Sequence, residues 1–273
     1  MIQFMKERQS KMNEVPKRTF AQRFHLKFIA WSVLFIVLLC GSAALTGVNW
    51  GEFFSNIGQF FSLIGKMAHP DWKYVQIVIQ PVIQTLQMAI VGTTIGTLVA
   101  VPFSVVAARN LVKNPVIRGI IRFILNLVRT LPDLLLAAIM VAIVGIGPSA
   151  GVWTLAIFSF GMISKLFYES IETIDNGQLE ALRAAGANYF QIIVFAVLPQ
   201  VIENFISYFL YTFEINVRAS TVLGYLGAGG IGMLLQQSLD SFDYSQTAVI
   251  IIATLIVVLV IDGLSNYLRE KLD

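Results

Sequence analysis

Long apolar runs, separated by short polar stretches, dominate this sequence of 273 residues. Hydrophobic residues make up 56% of the chain and charged residues only 13%, whereas soluble domains carry about 25% charged residues. An apolar run of about 20 residues is long enough to cross a bilayer as a helix. The runs therefore predict an all-α, polytopic membrane protein whose surroundings are the lipid bilayer.

Six transmembrane helices are predicted. The first, at residues 28–46, follows a basic tail at residues 1–27. Residues 47–80 carry aromatic side chains at roughly helical spacing, which predicts an extracytoplasmic segment at the membrane interface. The other spans are predicted at residues 81–108, at 109–147 with a break at Leu131–Pro132, and at 152–168, 197–217 and 247–264. Gly92 and Gly96 form a small-xxx-small pattern, which is typical of close contact between membrane helices.

The distribution of basic residues predicts the orientation, because Lys and Arg concentrate in the cytoplasmic loops of membrane proteins. If both termini face the cytoplasm, that side holds sixteen of the nineteen basic residues, namely seven in the tail, five between 109 and 129, two at the C-terminus, Lys165 and Arg183. Three remain on the other side: Lys66, Lys73 and Arg218. We therefore predict a multi-pass protein of the cell (plasma or inner) membrane, with cytoplasmic termini and a C-terminal tail at 267–273.

The residues that serve catalysis or metal binding in other proteins are scarce here. Cys40 is the single cysteine, and the two histidines, His25 and His69, are far apart. The sequence has no P-loop motif and no set of paired carboxylates or Ser, His and Asp that stands out. We therefore predict no catalytic residues, no metal, no cofactor, no nucleic-acid partner and no enzymatic activity.

A short, mostly polar stretch, Glu180–Gly186, interrupts the apolar runs. It is rich in alanine, a strong helix former, and it ends in a glycine, which suits a left-handed turn. Leu198–Pro199 then opens the next apolar run, where a helix tolerates proline in its first turn. The pattern predicts a small helix at a membrane face, ended by a tight turn and feeding a membrane helix. An amphipathic connector without a partner is the alternative.

Two polar clusters interrupt the membrane spans. Arg129 precedes the break at Pro132, and it either lines an aqueous pathway or extends its charge to the headgroups. Glu214 and Arg218 are spaced i, i+4 in the fifth span and are predicted near its outer end. They form either a structural ion pair or a gate that an anion passes.

A glycine-rich segment follows the fifth span and is predicted to pack closely at the outer mouth of a pore. Its glycines include Gly227, Gly229, Gly230 and Gly232. A dinucleotide-binding loop would need a preceding strand within a βαβ unit, and here the flanking segments are predicted membrane helices. The nucleotide interpretation is therefore rejected.

The spacing around the polar stretch resembles the coupling-helix signature of ATP-binding-cassette importer permeases. Five positions are in register: Glu180, Ala181, Gly186, Leu198 and Pro199. Leu182 and Ala196 depart from the signature, which has alanine and isoleucine there. Longer segments resemble the phosphonate-importer permease family: Arg129–Pro132, Gly145–Gly151, Leu198–Gln200, Phe213–Gly224 and Gly227–Gly232. The resemblance covers roughly residues 82–266, the core that this family shares.

The resemblance implies the six-helix fold of type I importer permeases and an alternating-access mechanism. It implies a homodimer, a cytosolic ABC ATPase dimer that binds the ATP, and an extracytoplasmic phosphonate-binding protein. Glu180 and Arg183 would anchor the coupling helix to the ATPase, and Gly186 would permit its turn. Arg129 and Arg218 would attract the anion.

Three alternatives stay open from the sequence. The first is a permease for phosphate, phosphite or another oxyanion, since the binding protein usually sets selectivity. The second is an intramembrane enzyme, which would need convergent catalytic groups at one depth. The third is a secondary carrier, which would show an internal inverted repeat.

Overall fold

The computed structural model describes residues 26–47 and 49–271 of the chain. Every regular element within these ranges is helical. The chain divides into two compact units, Met1–Phe61 and Ser62–Asp273, and the boundary between them falls inside a helix. The predicted basic tail, residues 1–27, lies almost entirely outside the described residues.

The first unit contains one long helix and a short one. Helix α1 covers Leu26–Leu45 and is long and apolar enough to cross a membrane. Helix α2 (Trp50–Ser55) follows, and α3 (Ile57–Met67) continues into the second unit. Large aromatic side chains of α2 and α3, among them Phe53 and Phe60, are exposed. The interfacial location of this segment stays a prediction.

The second unit contains the remaining helices. They are α4 (Val75–Ala107), α5 (Pro115–Thr130), α6 (Asp133–Val144), α7 (Pro148–Glu172), α8 (Asn176–Ala184), α9 (Tyr189–Ile192), α10 (Leu198–Leu223), α11 (Gly230–Asp240) and α12 (Tyr244–Glu270). The second predicted span therefore begins at Val75 rather than at Pro81, which lies inside α4. Val78, in the turn before Pro81, is buried and anchors the start of α4 on the bundle.

Helices α4 and α7 form the centre of this unit and run in the same direction. A Cβ atom on Gly92 would lie 2.7 Å from the Cβ of Leu155, and one on Gly96 would clash with the backbone of α7. Farther along both helices, the Ser104 hydroxyl donates to the Ser164 carbonyl at 3.2 Å. The small residues therefore let two long helix backbones pack closely, as the small-xxx-small pattern predicted.

Helix α10 runs antiparallel to α7, and α12 runs antiparallel to α10. The first relation follows from hydrogen bonds that join Asn204 to Ser170 and Asn216 to Ser159. Within residues 26–47 and 49–271, five helices are long and apolar enough to cross a membrane, or six if α5 and α6, which meet at 91°, are one broken span. This arrangement agrees with the predicted all-α, polytopic architecture.

Candidate functional site

The predicted polar stretch forms the short helix α8 at one end of the second unit. Asp175 caps it, because its carboxylate accepts a hydrogen bond from a backbone N–H two residues on, at 2.8 Å. Leu179 is only 1% exposed and packs into a core built from the C-terminal parts of α4 and α7 and the start of α10. Glu180, Ala181 and Arg183 are exposed. Helix α8 therefore has one apolar face on the bundle and one free face of small and charged residues.

Gly186 ends this helix in a left-handed conformation, with φ of 82°. The Ala187 N–H bonds the Leu182 carbonyl at 2.9 Å, and the Gly186 N–H bonds the Arg183 carbonyl at 3.1 Å. These two bonds define a Schellman motif, in which glycine is favoured because it has no Cβ. The left-handed turn expected from the sequence is therefore present.

The chain then enters α10 through an unusual helical turn. Asn188 and Gln191 form a capping box at the start of α9. Ile193–Val197 is a π-helical turn, in which the Leu198 N–H reaches the Ile193 carbonyl. Pro199 lies in the first turn of α10, directly after the π-helical turn, and it has no N–H with which to continue the hydrogen bonds of that turn. Leu198 and Pro199 thus connect α9 to the membrane helix without an intervening loop.

Hydrogen bonds tie α8 to two other parts of the bundle. Arg183 Nη2 donates to the Asn110 carbonyl, in the linker between α4 and α5, at 3.0 Å. The Gln200 side chain of α10 accepts from the Asp175 N–H at 3.0 Å and donates to Gln178 Oε1 at 3.2 Å. A displacement of α8 would therefore act on both α10 and the α4–α5 linker.

The predicted Glu214–Arg218 pair belongs to a larger network. The Glu214 side chain is 6% exposed, and its carboxylate pairs with Arg218 and with Arg269 Nη2, the latter at 3.2 Å. Arg218, whose side chain is 53% exposed, also lies 3.8 Å from the Asp262 carboxylate. Asp262 and Arg269 are in α12, so the network fastens α12 to α10.

The structure extends the fifth predicted span past Arg218, and the outer location of Arg218 stays a prediction. Helix α10 continues beyond it to Leu223, and its partners lie toward the C-terminal end of α12. The sequence suggested a span end because charge is costly inside a membrane. Carboxylates on two helices balance the charge of Arg218, so the helix continues past it.

Arg129 and Pro132 lie at the break between α5 and α6. Pro132 has an extended backbone (φ −62°, ψ 141°) and immediately precedes α6. Arg129 is exposed, and its aliphatic part packs over Gly161 of α7. Among the described residues Arg129 forms no ion pair. The structure therefore does not bring Arg129 into the network of Glu214 and Arg218.

The glycine-rich loop, Gly224–Gly232, packs against the turn that starts α7. Positive φ angles of 82°, 84° and 72° occur at three of its glycines: Gly227, Gly229 and Gly230. The Gly147 N–H donates to the Gly227 carbonyl at 2.8 Å. A Cβ on Gly232 would clash with the Thr221 carbonyl. Loop and turn form one closely packed joint, and its location at the mouth of a pore stays a prediction.

An open cavity of about 600 Å³ lies beside this loop. Its polar lining consists of amides, a carboxylate and a hydroxyl: Gln84, Gln236, Gln237, Asp240 and Ser241. Its lining includes no lysine or arginine. No lysine or arginine therefore contributes a positive charge to this cavity.

Sequence reasoning missed a buried polar junction in the centre of the unit. Asn216 Nδ2 donates to Thr93 Oγ1 and to Ser159 Oγ, both at 2.7 Å, and all three residues are fully buried. The junction joins α4, α7 and α10. An amide within an apolar run was the available signal, because polar side chains in membrane helices usually bond across helices.

Solved structures share this arrangement of helices. A chain of the inward-facing MetNI methionine ABC transporter superposes with a TM-score of 0.68 at 22% identity, covering 74% of this chain and 99% of that chain. The long helices, with α8 on a free end of the bundle, therefore define the type I importer permease class. This class transports and is not enzymatic, and it works with an ATPase and a substrate-binding protein.

The chain belongs to the family of binding-protein-dependent transport system inner membrane components, whose model matches residues 100–273. The phosphite transport system permease protein PtxC of Stutzerimonas stutzeri is 42% identical over 209 residues, which cover 77% of this chain and 76% of that protein. The putative cryptic phosphonate transport system permease protein PhnE2 of Escherichia coli (strain K12) is 44% identical over 116 residues, covering 42% of this chain and 95% of that protein. The chain is thus a multi-pass protein of the inner membrane.

Proposed function

We propose that this permease imports a phosphonate across the inner membrane as a homodimer, driven by a cytosolic ABC ATPase dimer and supplied by an extracytoplasmic phosphonate-binding protein. The observation that carries the proposal is the free face of α8. Its inner face is fixed to the bundle by Leu179, whereas Glu180, Ala181 and Arg183 are exposed. A rigid helix with small exposed residues suits docking into a groove of another protein.

The partner ATPase binds the ATP, and this chain holds no cofactor. ATP binding closes the ATPase dimer and draws the two copies of α8 together. Because Arg183 and Gln200 tie α8 to the α4–α5 linker and to α10, that movement rocks the two permease copies outward. The binding protein then releases its anion into the opened pathway, and hydrolysis restores the inward-facing state.

The substrate assignment rests on the names of two relatives, one a phosphite and one a phosphonate permease. Both anions carry phosphorus–oxygen groups, so phosphite and phosphate are the competing substrates. The cavity beside the glycine loop has no basic lining residue, which supports selectivity set by the binding protein. Affinities of the purified binding protein for methylphosphonate, phosphite and phosphate distinguish the three.

Within the pathway we assign Arg218 the role of attracting the anion. Its side chain is half exposed, and Glu214 and Asp262 hold it in place. Arg129 is the second basic candidate, at the break before Pro132. We assign the gate to the glycine joint of Gly227–Gly232, where positive φ angles and close backbone contacts require glycine.

Co-purification with the ATPase tests the docking role of α8. Ala181→Arg places a long charged side chain on the free face of α8, and we expect the ATPase to be lost while the permease still inserts. Ser241→Arg, in the loop before α12, is the matched control and should retain the ATPase. Retention of the ATPase by Ala181→Arg would refute docking at α8.

A further inference from the structure

A polar cluster outside the sites above joins the C-terminal ends of α4 and α7 to the middle of α5, next to α8. Glu172 is the last residue of α7, and its side chain is 11% exposed. Its carboxylate accepts hydrogen bonds from the Arg109 N–H at 2.7 Å and from the Arg122 guanidinium. Arg109 follows α4 and Arg122 is in α5. One carboxylate therefore connects α4, α5 and α7.

Arg122 makes the other half of this connection, which we call the Arg122–Glu172 joint. Its Nε and Nη2 donate to the Ala107 carbonyl at 3.0 and 2.8 Å, and its guanidinium lies 4.7 Å from the centre of the Tyr168 ring. Ala107 ends α4, and the last carbonyls of a helix lack partners within it. Arg122 thus closes the end of α4 and, through Glu172, holds the end of α7.

Helix electrostatics alone would disfavour Glu172 at this position. The C-terminus of a helix carries partial negative charge, so a carboxylate there is repelled, and α7 has no basic residue in its last turn. Arg122 supplies balancing charge from another helix, and the Arg109 guanidinium, 3.7 Å from the Glu172 carboxylate, adds to it. Contact between helices, rather than stability of α7 by itself, therefore accounts for the carboxylate.

A single residue connects this joint to α8. Asn110 Nδ2 donates to the Ile171 carbonyl at 2.6 Å, directly before Glu172. The backbone carbonyl of Asn110 accepts the hydrogen bond from Arg183 of α8 at 3.0 Å. Along the chain, α8 is separated from α7 by only three residues. A movement of α8 therefore reaches the joint both through the chain and through Asn110.

We propose that Arg122 is a positioning residue that, together with Glu172, makes α5 and the C-terminal ends of α4 and α7 move as one body with α8 during transport. The proposal rests on the ATPase-docking role proposed for α8. With the joint intact, displacement of α8 moves three membrane helices together. Without it, α8 follows the ATPase while the membrane helices stay behind, so ATP is hydrolysed without uptake.

The test measures the ratio of uptake to ATP hydrolysis in proteoliposomes that contain the permease, its ATPase and its binding protein, with methylphosphonate and phosphite as probes. For Arg122→Gln we expect parental co-purification of the ATPase, nearly parental hydrolysis and a coupling ratio lowered about ten-fold, within the range seen for residues that transmit coupling. Arg122→Lys retains the charge beside Glu172 but not the two hydrogen bonds to the Ala107 carbonyl. Its coupling ratio should lie between those of the parent and Arg122→Gln.

Arg118→Gln is the matched control. Arg118 lies one turn earlier on the same face of α5 and donates to the Val112 carbonyl at 3.1 Å. It makes no contact with Glu172, so its ratio should equal that of the parent. If Arg122→Gln fails to insert, the coupling ratio of Glu172→Gln tests the proposal instead. This variant keeps an acceptor for the Arg109 N–H and removes only the charge.

Uptake and hydrolysis that fall in proportion, or a ratio that stays parental, would overturn the positioning role. A parent complex that recruits no ATPase would instead refute the docking role of α8. A parent that recruits the ATPase but takes up no methylphosphonate would refute the substrate assignment, whether or not it takes up phosphite. The joint, the docking helix and the substrate are therefore tested by different readouts.

Discussion

Single residues differ in how far the sequence predicts their surroundings. Gly186 was predictable, because a glycine directly after an alanine-rich helix has few other uses. The partner of Glu214 was not, because Arg269 lies 55 residues away and only the packing of α12 on α10 joins them. The i, i+4 spacing in the sequence identified Arg218 as a partner of Glu214. The second carboxylate near Arg218, that of Asp262, could not be identified from the sequence.

Gly186→Val tests the left-handed turn. Nothing lies within 4 Å of a Cβ built at Gly186, so the cost is one of backbone conformation and amounts to about 1–2 kcal/mol. We expect uptake and ATPase co-purification to fall while membrane insertion persists. Gly186→Asn is the control, since asparagine adopts this conformation readily and should keep most uptake. Parental uptake by the valine variant would contradict the argument.

Exchanging Glu214 and Arg218 cannot separate a structural pair from an anion site, because the exchange would place an arginine beside Arg269. Single substitutions separate the structural role from the anion-attracting role. Arg218→Gln leaves Glu214 paired with Arg269, so we expect a stable protein whose uptake falls strongly if Arg218 attracts the anion. Arg269→Gln should keep most uptake. Equal uptake in these two variants would contradict the pathway role of Arg218.

The double variant Arg218→Gln/Arg269→Gln has a different expected outcome. It leaves the buried Glu214 carboxylate without a basic partner, which costs about 3–5 kcal/mol. The loss should exceed the sum of the two single losses, since each arginine substitutes for the other. Thermal unfolding in detergent measures this. Additive losses would show that Glu214 does not depend on either arginine.

At the scale of helices, run length and hydropathy predicted the spans, while their ends and angles depended on packing. Pro132 was recognisable as a break, but the 91° angle between α5 and α6 follows from how each packs on α7. Helix α4 extends upstream of Pro81 because its first turns bury Val78 against α11 and α12. The joint of Arg122 and Glu172 was hidden for the same reason: it links residues on different helices.

Substitution of Asn216 tests the hydrogen bonds that join α4, α7 and α10. Asn216→Val removes both hydrogen bonds to Thr93 and Ser159 while keeping a similar branched volume. Buried hydrogen bonds of this kind contribute about 1 kcal/mol each, and somewhat less in membrane proteins. We expect a clear drop in the detergent unfolding temperature. Asn204→Val removes a single hydrogen bond, from the exposed Asn204 side chain to the Ser170 hydroxyl, and should change the unfolding temperature little. Equal drops would argue against the junction.

For the whole molecule, the sequence predicted the all-helical membrane class because lipid permits few backbone arrangements. The family followed from several long segments in order rather than from any one motif. The orientation stays a prediction from the distribution of basic residues, and the structure adds which helix ends lie on the same side. The ends of α4 and α7 and all of α8 lie at one end of the second unit, because they share one core cluster.

Cysteine labelling tests the orientation of the whole chain. In a background with Cys40→Ser, we expect Ala184→Cys, on the free end of α8, to react with an impermeant thiol reagent only after the membrane is opened. Asn188 is less suitable for a cysteine substitution, because its side chain caps α9 and the loss of that cap costs about 1 kcal/mol. Ser241→Cys, in the loop before α12, should react in intact cells, because α12 and α4 start at the end away from α8. The reverse pattern would place α8 outside the cytoplasm, where no ATPase could dock, and would overturn the orientation and the proposed coupling together.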